Sequence, residues 1–340
     1  MNQRIVIEEP GKIMLKESEM PKRQPKEALL KVLYGGICGS DLNSYRGTSP
    51  YVTYPRTPGH EFSAEIVEID DNEEGLKKGM IVTANPYFNC GHCYSCRRGL
   101  VNCCTTNQTM GVQREGAFAR YITMPVERLY GSQGLDPRTL ALIEPFCIGY
   151  HGVRRASPKP GEHILVVGAG TIGIMAAIAA KEFGASVTIC DISEEKAVNA
   201  LEFGIDGSFM NRSKEELAEQ TDLITGGNGF DITVEAVGLP STFQDCIDAA
   251  SFGGRVVLIG VGKDTLDFNF TMIQKKELTI VGSRNAVKKD FQETIEFVKE
   301  SHMDLLKIVT DTYKMENCEK AFSDFDRNAA SMLKVLIEFA

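Results

Sequence analysis

The chain has 340 residues, 43% of them apolar and 24% charged, which suits a globular protein of about two domains. Its formal net charge of −9 and its isoelectric point near 5.3 exclude a nucleic acid as the main partner, because phosphate binding needs a basic surface. The longest apolar stretch, residues 164–180, contains three glycines and predicts a strand, a turn and a helix rather than a membrane span.

The first 150 residues predict a β-rich domain, because short apolar runs alternate with Gly and Pro. The predicted strands cover residues 28–33, 64–69, 80–84 and 119–125.

Strands and helices alternate from about residue 161 to residue 282. The predicted strands cover residues 163–167, 186–190, 232–236, 255–259 and 278–281, and the predicted helices cover residues 172–183, 194–203 and 241–251. This alternation predicts a parallel sheet covered by helices on both faces. Helices at 290–300 and 316–325 and a strand at 332–338 follow, and their pattern alone assigns them to neither domain.

A glycine-rich loop joins the first strand and the first helix of the alternating region. Gly168, Gly170 and Gly173 have the spacing G-x-G-x-x-G, and Thr171 and Ile172 begin the helix. Such glycines permit a tight turn, close approach of a pyrophosphate and close packing of the helix on the strand, while the helix N-terminus attracts phosphates. The loop predicts a dinucleotide site.

Asp191 ends the next predicted strand, 18 residues after Gly173, where a carboxylate accepts hydrogen bonds from the adenosine ribose. Its charge would repel a 2′-phosphate, and Ile192 and Ser193 provide no arginine to bind one. Lys196 is the nearby cation, either a cofactor contact or a solvated helix residue. NAD is therefore predicted rather than NADP.

Four cysteines crowd into a short segment of the first domain: Cys90, Cys93, Cys96 and Cys104. Four thiolates close a tetrahedral zinc site with no open position, which predicts a structural zinc in a lobe at about residues 88–106. Cys103 is an alternative fourth ligand. An iron–sulfur cluster also uses Cys-x2-Cys-x2-Cys, but the fourth spacing and the absence of a proline after Cys104 disfavour it.

The chain has ten cysteines, and Arg4, Glu8 and Glu9 interrupt its N-terminus before an apolar run develops. We therefore expect no secretory leader, and a cytoplasmic protein with reduced or metal-bound thiols.

Three further residues predict a second metal site in the first domain. Cys38 and His60 lie 22 residues apart, and Glu144 precedes a proline. A catalytic zinc needs three protein ligands and one open position. A thiolate, a carboxylate and a neutral imidazole would balance the charge of Zn²⁺.

On these motifs the chain resembles the zinc-containing medium-chain alcohol and polyol dehydrogenases, above all the branch of sorbitol, galactitol-phosphate and L-galactonate dehydrogenases. The matching segments are residues 36–41, 59–61, the four-cysteine lobe, 116–119, 144–146, 168–173, 235–238 and 334–337. The resemblance implies an α/β protein, with a GroES-like β-barrel catalytic domain and a Rossmann NAD-binding domain built on a doubly wound parallel sheet. The catalytic domain would comprise residues 1–150 and 286–340, and the cofactor domain residues 151–285. The resemblance also implies a homodimer or homotetramer.

The resemblance carries roles over by position. Cys38, His60 and Glu144 match the catalytic zinc ligands, and Glu61 matches a glutamate that binds the metal directly in some relatives. We prefer Glu144 as the third ligand and keep Glu61 open. Ser40 matches the hydroxyl that receives the substrate proton.

Other positions bear on the substrate. Asn43 stands where many relatives carry a histidine that passes the proton outward, so water or the cofactor ribose would replace that relay. Tyr45 and Phe118 match pocket-lining positions. Arg284 lies in a stretch similar to that of L-galactonate dehydrogenases, which implies a contact with substrate or cofactor; a salt bridge at the domain junction is the alternative.

The implied function is transfer of a hydride from a secondary alcohol of a polyol, sugar or sugar acid to NAD. Zinc would lower the pKa of the substrate hydroxyl, Ser40 would take its proton, and each chain would hold one catalytic and one structural zinc. Two alternatives stay open: a zinc-free quinone or enone reductase on the same fold, and a non-catalytic binding protein on this scaffold.

Overall fold

The computed structural model describes residues 1–262, 264–329 and 331–339. The chain forms two compact units, Met1–Glu144 with Ala286–Ala340 (unit 1) and Pro145–Asn285 (unit 2). Unit 2 thus begins at Pro145, a few residues before the boundary expected at residue 151.

The first segment of unit 1 is mainly β-structure. Its strands are Asn2–Glu9 (β1), Lys12–Ser18 (β2), Glu27–Ile37 (β3), Glu61–Glu68 (β4), Ile81–Ala84 (β5), Tyr87–Phe88 (β6), Gln108–Thr109 (β7), Tyr121–Pro125 (β8) and Leu129–Gly131 (β9). Its helices are Gly39–Arg46 (α1), Tyr94–Arg97 (α2) and Pro137–Ala141 (α3), with 3₁₀ turns at Val101–Cys103 and Val126–Arg128. The next helix, Ile143–Arg155 (α4), begins in unit 1 and continues into unit 2.

Strands and helices alternate in unit 2, and the second segment of unit 1 follows. The strands of unit 2 are His163–Val167 (β10), Ser186–Asp191 (β11), Gly207–Met210 (β12), Phe230–Glu235 (β13), Ala250–Leu258 (β14) and Thr279–Gly282 (β15). Its further helices are Thr171–Glu182 (α5), Glu194–Asn199 (α6), Lys214–Thr225 (α7), Pro240–Ala249 (α8) and Thr271–Lys275 (α9), with a 3₁₀ turn at Ala200–Phe203. The last segment comprises Lys288–Ser301 (α10), Val309–Lys314 (β16), Cys318–Arg327 (α11) and Lys334–Glu338 (β17), with 3₁₀ turns at Leu305–Ile308 and Met315–Asn317.

The main sheet of unit 1 has the order β16-β17-β3-β4-β5-β9, and β8 also pairs with β3. Leu30 and Val32 of β3 lie opposite Ile66 and Ala64 of β4 in the antiparallel register. All four are fully buried, as expected for cross-strand pairs on the core face of a sheet. Strand β17 pairs with β3, so the last segment belongs to the sheet that the first segment builds.

The sheet of unit 2 has the order β12-β11-β10-β13-β14-β15, with parallel pairing throughout. Leu165 and Val167 of β10 pack in one cluster with Ile247 of α8. Ile164 and Val166, which point to the opposite face, are equally buried. Burial on both faces explains the continuous apolar run of β10 and confirms the predicted doubly wound parallel sheet, whose strand order is that of dinucleotide-binding domains.

Within the described residues, every helix is too short or too polar to cross a bilayer.

Candidate functional site

A buried carboxylate ties together two loops of unit 1. Asp41, the third residue of α1, is fully buried. Its Oδ2 accepts a hydrogen bond from the N–H of Cys38 at 3.0 Å, and its Oδ1 accepts one from the N–H of Gly59 at 3.1 Å. Because Gly59 precedes His60, this one side chain holds the segments of Cys38 and His60 beside each other.

Strand pairing adds a carboxylate to the same place. Gly36 lies opposite Glu61 in the β3–β4 register, and a Cβ at residue 36 would lie only 2.2 Å from Glu61 Oε2. Glycine at this position leaves room for the carboxylate. The ligand atoms of Cys38, His60 and Glu61 all lie within 4.8 Å of one another.

Lys334 of β17 pairs with Glu61. Its ammonium donates hydrogen bonds to Oε1 at 2.8 Å and Oε2 at 2.6 Å, and to the Ile37 carbonyl at 3.2 Å. Both side chains are almost fully buried. Burial alone would lower the pKa of Lys334, but Glu61 and Cys38 raise it, so the ammonium stays charged.

Glu144 lies near this group without being part of the set of three ligand atoms. It is buried in the first turn of α4, and its Oε1 accepts a hydrogen bond from the Tyr87 hydroxyl. Burial raises the pKa of Glu144 to about 7, with the charge of His60 opposing this rise and that of Glu61 adding to it. The carboxyl is therefore sensitive to any positive charge placed beside it.

His60 indicates that the pocket suits a cation. Burial would lower its pKa, yet the charges of Asp41 and Cys38 raise it well above the usual value. Its Nδ1 is buried, lies 3.9 Å from Asp41 Oδ1, and has no hydrogen-bond partner within the described part of the chain.

The charges of the pocket lead to the same conclusion. Asp41, Glu61 and Glu144 are buried carboxyls, and Lys334 is paired with Glu61. Uncompensated buried charge is costly, and a divalent cation would offset it. A thiolate, an imidazole and a carboxylate are the donor types that zinc binds.

Ser40 lies in the first turn of α1, with its Oγ 3.5 Å from His60 Nε2. The residue is half-buried. Asn43 is one turn further along, and its Oδ1 accepts a hydrogen bond from Thr48 Oγ1 at 3.2 Å. The amide is thus engaged locally and cannot titrate near neutral pH.

The cysteine lobe forms a second cluster. The thiols of Cys90, Cys93, Cys96 and Cys104 lie within 4.8 Å of one another, and Cys103 is outside the group. The N–H of Cys93 donates to Cys90 Sγ at 3.3 Å. Hydrogen bonds led by the N–H of Cys96 lower the pKa of Cys93 to about 5, which favours the thiolate. Burial and then a hydrogen bond with the thiol of Cys93 raise the pKa of Cys96, and a cation bound by the four sulfurs would lower it again.

The glycine loop of unit 2 has the geometry of a dinucleotide turn. Gly168 has φ of +104°, and Gly170 caps α5, which Thr171 and Ile172 begin. A Cβ at Gly173 would lie 1.8 Å from the Gly168 carbonyl oxygen, so only glycine lets the helix approach the turn so closely.

Asp191 ends β11 beside this turn. Its Oδ2 accepts a hydrogen bond from the N–H of Ala169 at 2.8 Å and its Oδ1 one from the N–H of Ser193 at 2.9 Å. Gly168, Asp191 and Arg212 line one cavity of about 650 Å³. This cavity lies at the carboxyl ends of the parallel strands, where such sheets bind ligands.

The remaining predicted residues are more dispersed. Lys196 is a half-buried residue of α6, and Arg284 is exposed after the end of β15. Tyr45 is half-buried, with its ring 5.7 Å from that of Phe322. Phe118 is fully buried among the rings of Phe322 and Phe339. It is a core residue of unit 1, and its role as a pocket-lining residue stays a prediction.

Three residues that contact the candidate site were given no role in the sequence analysis: Asp41, Tyr87 and Lys334. Lys334 carries a signal, because it interrupts the apolar segment 332–337 and charged residues are rarely buried without a partner. Asp41 has the spacing of a carboxylate that caps the start of a helix. Tyr87 contacts a residue 57 positions away, and nothing local in the sequence indicates this.

Comparisons with known proteins agree with this geometry. Residues 24–133 match the family "Alcohol dehydrogenase GroES-like domain" and residues 171–300 match the family "Zinc-binding dehydrogenase". The chain is 34% identical to the L-galactonate-5-dehydrogenase of Escherichia coli K12, with 98% of each chain covered. Among solved structures, galactitol-1-phosphate dehydrogenase from Escherichia coli has a TM-score of 0.91, 28% identity and 99% coverage of each chain. An alcohol dehydrogenase of Escherichia coli CFT073, solved with NADH, has a TM-score of 0.91, 30% identity and 99% coverage of each chain.

These findings confirm the predicted fold class, enzyme class and cofactor types, and they disfavour the zinc-free reductase. The chain belongs to the zinc-binding alcohol dehydrogenases, a family of nicotinamide-linked oxidoreductases.

Proposed function

We propose that the protein oxidises a secondary hydroxyl of a polyol, sugar or sugar acid, with NAD as hydride acceptor. The observation that carries this proposal is the group of Cys38, His60 and Glu61, whose ligand atoms lie within 4.8 Å of one another. The substrate class is supported by the relatives that act on L-galactonate and galactitol 1-phosphate.

Cys38, His60 and Glu61 form the proposed catalytic zinc set, with Glu144 beside it. The sequence analysis preferred Glu144 as the third ligand. The geometry favours Glu61, because its carboxylate is already grouped with the other two donors and Glu144 is not. Cys90, Cys93, Cys96 and Cys104 form the proposed structural zinc set, which has no open position.

When bound, zinc supplies Lewis acidity that lowers the pKa of the substrate hydroxyl, and NAD supplies the hydride acceptor. Ser40 receives the released proton, since its hydroxyl can accept one proton while donating its own to solvent. Asp41 keeps the Cys38 and His60 segments in place, and Lys334 holds the carboxylate of Glu61. Tyr45 and Arg284 are the proposed contacts for substrate hydroxyl or carboxylate groups.

The cofactor site is proposed at Gly168, Gly170, Thr171, Ile172 and Gly173, where the N-terminus of α5 meets the pyrophosphate. Asp191 accepts from the adenosine ribose, and Lys196 lies on the adjacent helix. Arg284 is the other proposed contact with the cofactor.

The proposed assembly is a homodimer or homotetramer. Support comes from β15, which ends the sheet of unit 2, and from exposed apolar side chains at Phe252, Val261 and Phe270. An open edge strand can pair with its copy in a second chain. Val281→Lys should weaken the assembly in sedimentation experiments. We also propose a cytoplasmic location, since the ten cysteines, all within the described residues, form no disulfide bonds, which suits a reducing compartment.

The testing experiment is a screen for NADH formation with hexitols, pentitols, their phosphates and aldonic acids, together with zinc analysis of the purified protein. We expect activity with at least one of these groups and roughly two zinc ions per chain. Absence of activity with every group, in a protein that carries both zinc ions, would contradict the proposal.

A further inference from the structure

Tyr87 lies outside every motif that the sequence analysis used, yet it contacts one of the candidate catalytic acids. Tyr87 is 7% exposed and Glu144 is 2% exposed. The phenol donates its hydrogen bond to Glu144 Oε1. This contact commits one carboxylate oxygen and restricts rotation of the carboxylate about its terminal bond, which is otherwise soft.

The backbone of Tyr87 is itself held on both sides. Its N–H donates to Asn85 Oδ1 at 2.9 Å, and its carbonyl accepts a hydrogen bond from Arg128 Nη1 at 2.6 Å. Strand β6 pairs with β7, which places Tyr87 opposite Thr109. The phenol therefore extends from a backbone with little freedom.

Arg128 extends the same set of contacts to the cysteine lobe. Its Nη2 donates to Asn89 Oδ1 at 2.9 Å, and Asn89 Nδ2 lies 3.8 Å from Cys96 Sγ. The guanidinium of Arg128 also lies over the ring of Phe88, 4.5 Å from its centroid. Polar contacts therefore run from Cys96 to Asn89, from Asn89 to Arg128 and from Arg128 to the backbone carbonyl of Tyr87. The phenol of Tyr87 then contacts Glu144.

We propose that Tyr87 is a positioning residue for Glu144, and that Arg128 links it to the four-cysteine lobe, so that metal bound in the lobe helps to hold the carboxylate beside the reaction centre. This inference rests on the proposed function. It gives the lobe a role in catalysis beyond stability. Outer partners of metal-site ligands and carboxylates are typically worth about 10–100-fold in metal affinity or activity.

Tyr87→Phe is the first test, because it removes only the hydroxyl. We expect the lobe zinc, the melting temperature and KM for NAD to stay near those of the wild type. We expect kcat, or the affinity of the second zinc in a chelator titration, to fall about 10-fold or more. The spectrum of the cobalt-substituted protein should change in the bands of the second site only.

Tyr313→Phe is the matched control. Tyr313 Oη donates to Asp324 Oδ2 at 2.8 Å in the same unit, so the variant loses the same kind of phenol–carboxylate bond outside the site. We expect unchanged zinc affinity and kcat. A double variant, Tyr87→Phe with Glu144→Gln, should be no worse than Glu144→Gln alone, because Tyr87 acts through Glu144.

The link to the lobe is tested by Arg128→Met, which removes the hydrogen bonds to Tyr87 and Asn89. Arg114→Met is its control, since Arg114 also stacks on Phe88, 3.5 Å from the centroid. We expect Arg128→Met, like Tyr87→Phe, to lower kcat or the affinity of the second zinc and to change the cobalt bands of the second site. Arg114→Met should leave these three properties unchanged. Equal effects of the two arginine variants would overturn the link.

Failure of this inference is distinguishable from failure of the proposed function. Wild-type kcat, second-site zinc affinity and cobalt spectrum in Tyr87→Phe would overturn the positioning role while leaving the function intact. A wild-type protein that binds only the lobe zinc and forms no NADH would instead overturn the proposed function.

Discussion

Lys334 and Glu61 form a buried ion pair across 273 residues of sequence, with side chains that are 4% and 1% exposed. The pair places one positive charge against a carboxylate whose oxygen lies within 4.8 Å of the ligand atoms of Cys38 and His60. The structure thereby compensates part of the negative charge of the pocket with a residue that is not a metal ligand. A metal held by Cys38, His60 and Glu61, as proposed, would share this compensation with the lysine, which has a measurable consequence.

Lys334→Met should destabilise the zinc-depleted protein by about 3–5 kcal/mol, because it leaves the buried carboxylate of Glu61 unpaired. The zinc-loaded protein should lose less stability, since the cation supplies part of the missing charge. The measurement is chemical denaturation with and without a chelator. Lys334→Arg is the control that keeps the charge. Equal losses in both metal states would show that lysine and metal do not share Glu61.

Cys93→Ser should lower the melting temperature and reduce the zinc content from about two ions per chain towards one, because a lost ligand forfeits metal-coupled folding free energy. Cys103→Ser offers a close control, since Cys103 lies outside the group of four thiols. It should keep both the zinc and the stability. The fourth ligand would have to be reassigned if Cys103→Ser lost the lobe zinc and Cys104→Ser did not.

Cys38→Ser and Ser40→Ala should fail differently. Cys38→Ser should lose the second zinc and turnover while the lobe zinc and NAD binding remain. Ser40→Ala should keep both ions and lose about 10²–10⁴-fold in kcat, the usual magnitude for one proton-transfer group. Zinc content measured beside kcat separates the two. Full zinc and near-normal turnover in Cys38→Ser would remove it from the ligand set.

Asp191→Asn should retain most NAD binding but relax discrimination against NADP, because the amide keeps an acceptor and loses the charge that repels a 2′-phosphate. Asp191→Ala should also lower the affinity for NAD by about 10-fold or more, since hydrogen bonds to charged groups are worth about 1.5–3 kcal/mol. Titrations of both cofactors followed by fluorescence measure this. A wild-type preference for NADP would contradict the role assigned to Asp191.

Local patterns in the sequence predict part of this architecture well. Strand β10 is predicted at its observed bounds and α5 to within one residue at each end, because an apolar run, glycines and a long apolar helix all agree there. Helix α1 was not predicted. It begins with Gly39 and Ser40, which are poor helix formers, and its start is stabilised by the Asp41 side chain instead.

The candidate site also has one part that local sequence patterns predict and one part that they do not. The cysteine lobe follows from spacing alone, since its thiols are close in sequence and a short loop brings them together. The partners Lys334 and Tyr87 depend on strand pairing over long separations. Register between distant strands is set by burial of the whole sheet, so the local pattern at 332–337 could mark Lys334 as a buried charge but could not indicate its partner, and no local pattern indicates Tyr87.

The pairing of β17 with β3 also has a consequence for biosynthesis. During translation, Glu61 emerges long before Lys334. The edge of β3 that pairs with β17 stays unpaired until residue 338 has left the ribosome. Unit 2 is continuous in sequence and can fold in the interval, as domains generally do during synthesis. We therefore expect the acidic pocket of unit 1 to form last among the described residues. Premature release of the nascent chain should then yield a protein with a folded cofactor unit and an unfinished reaction centre.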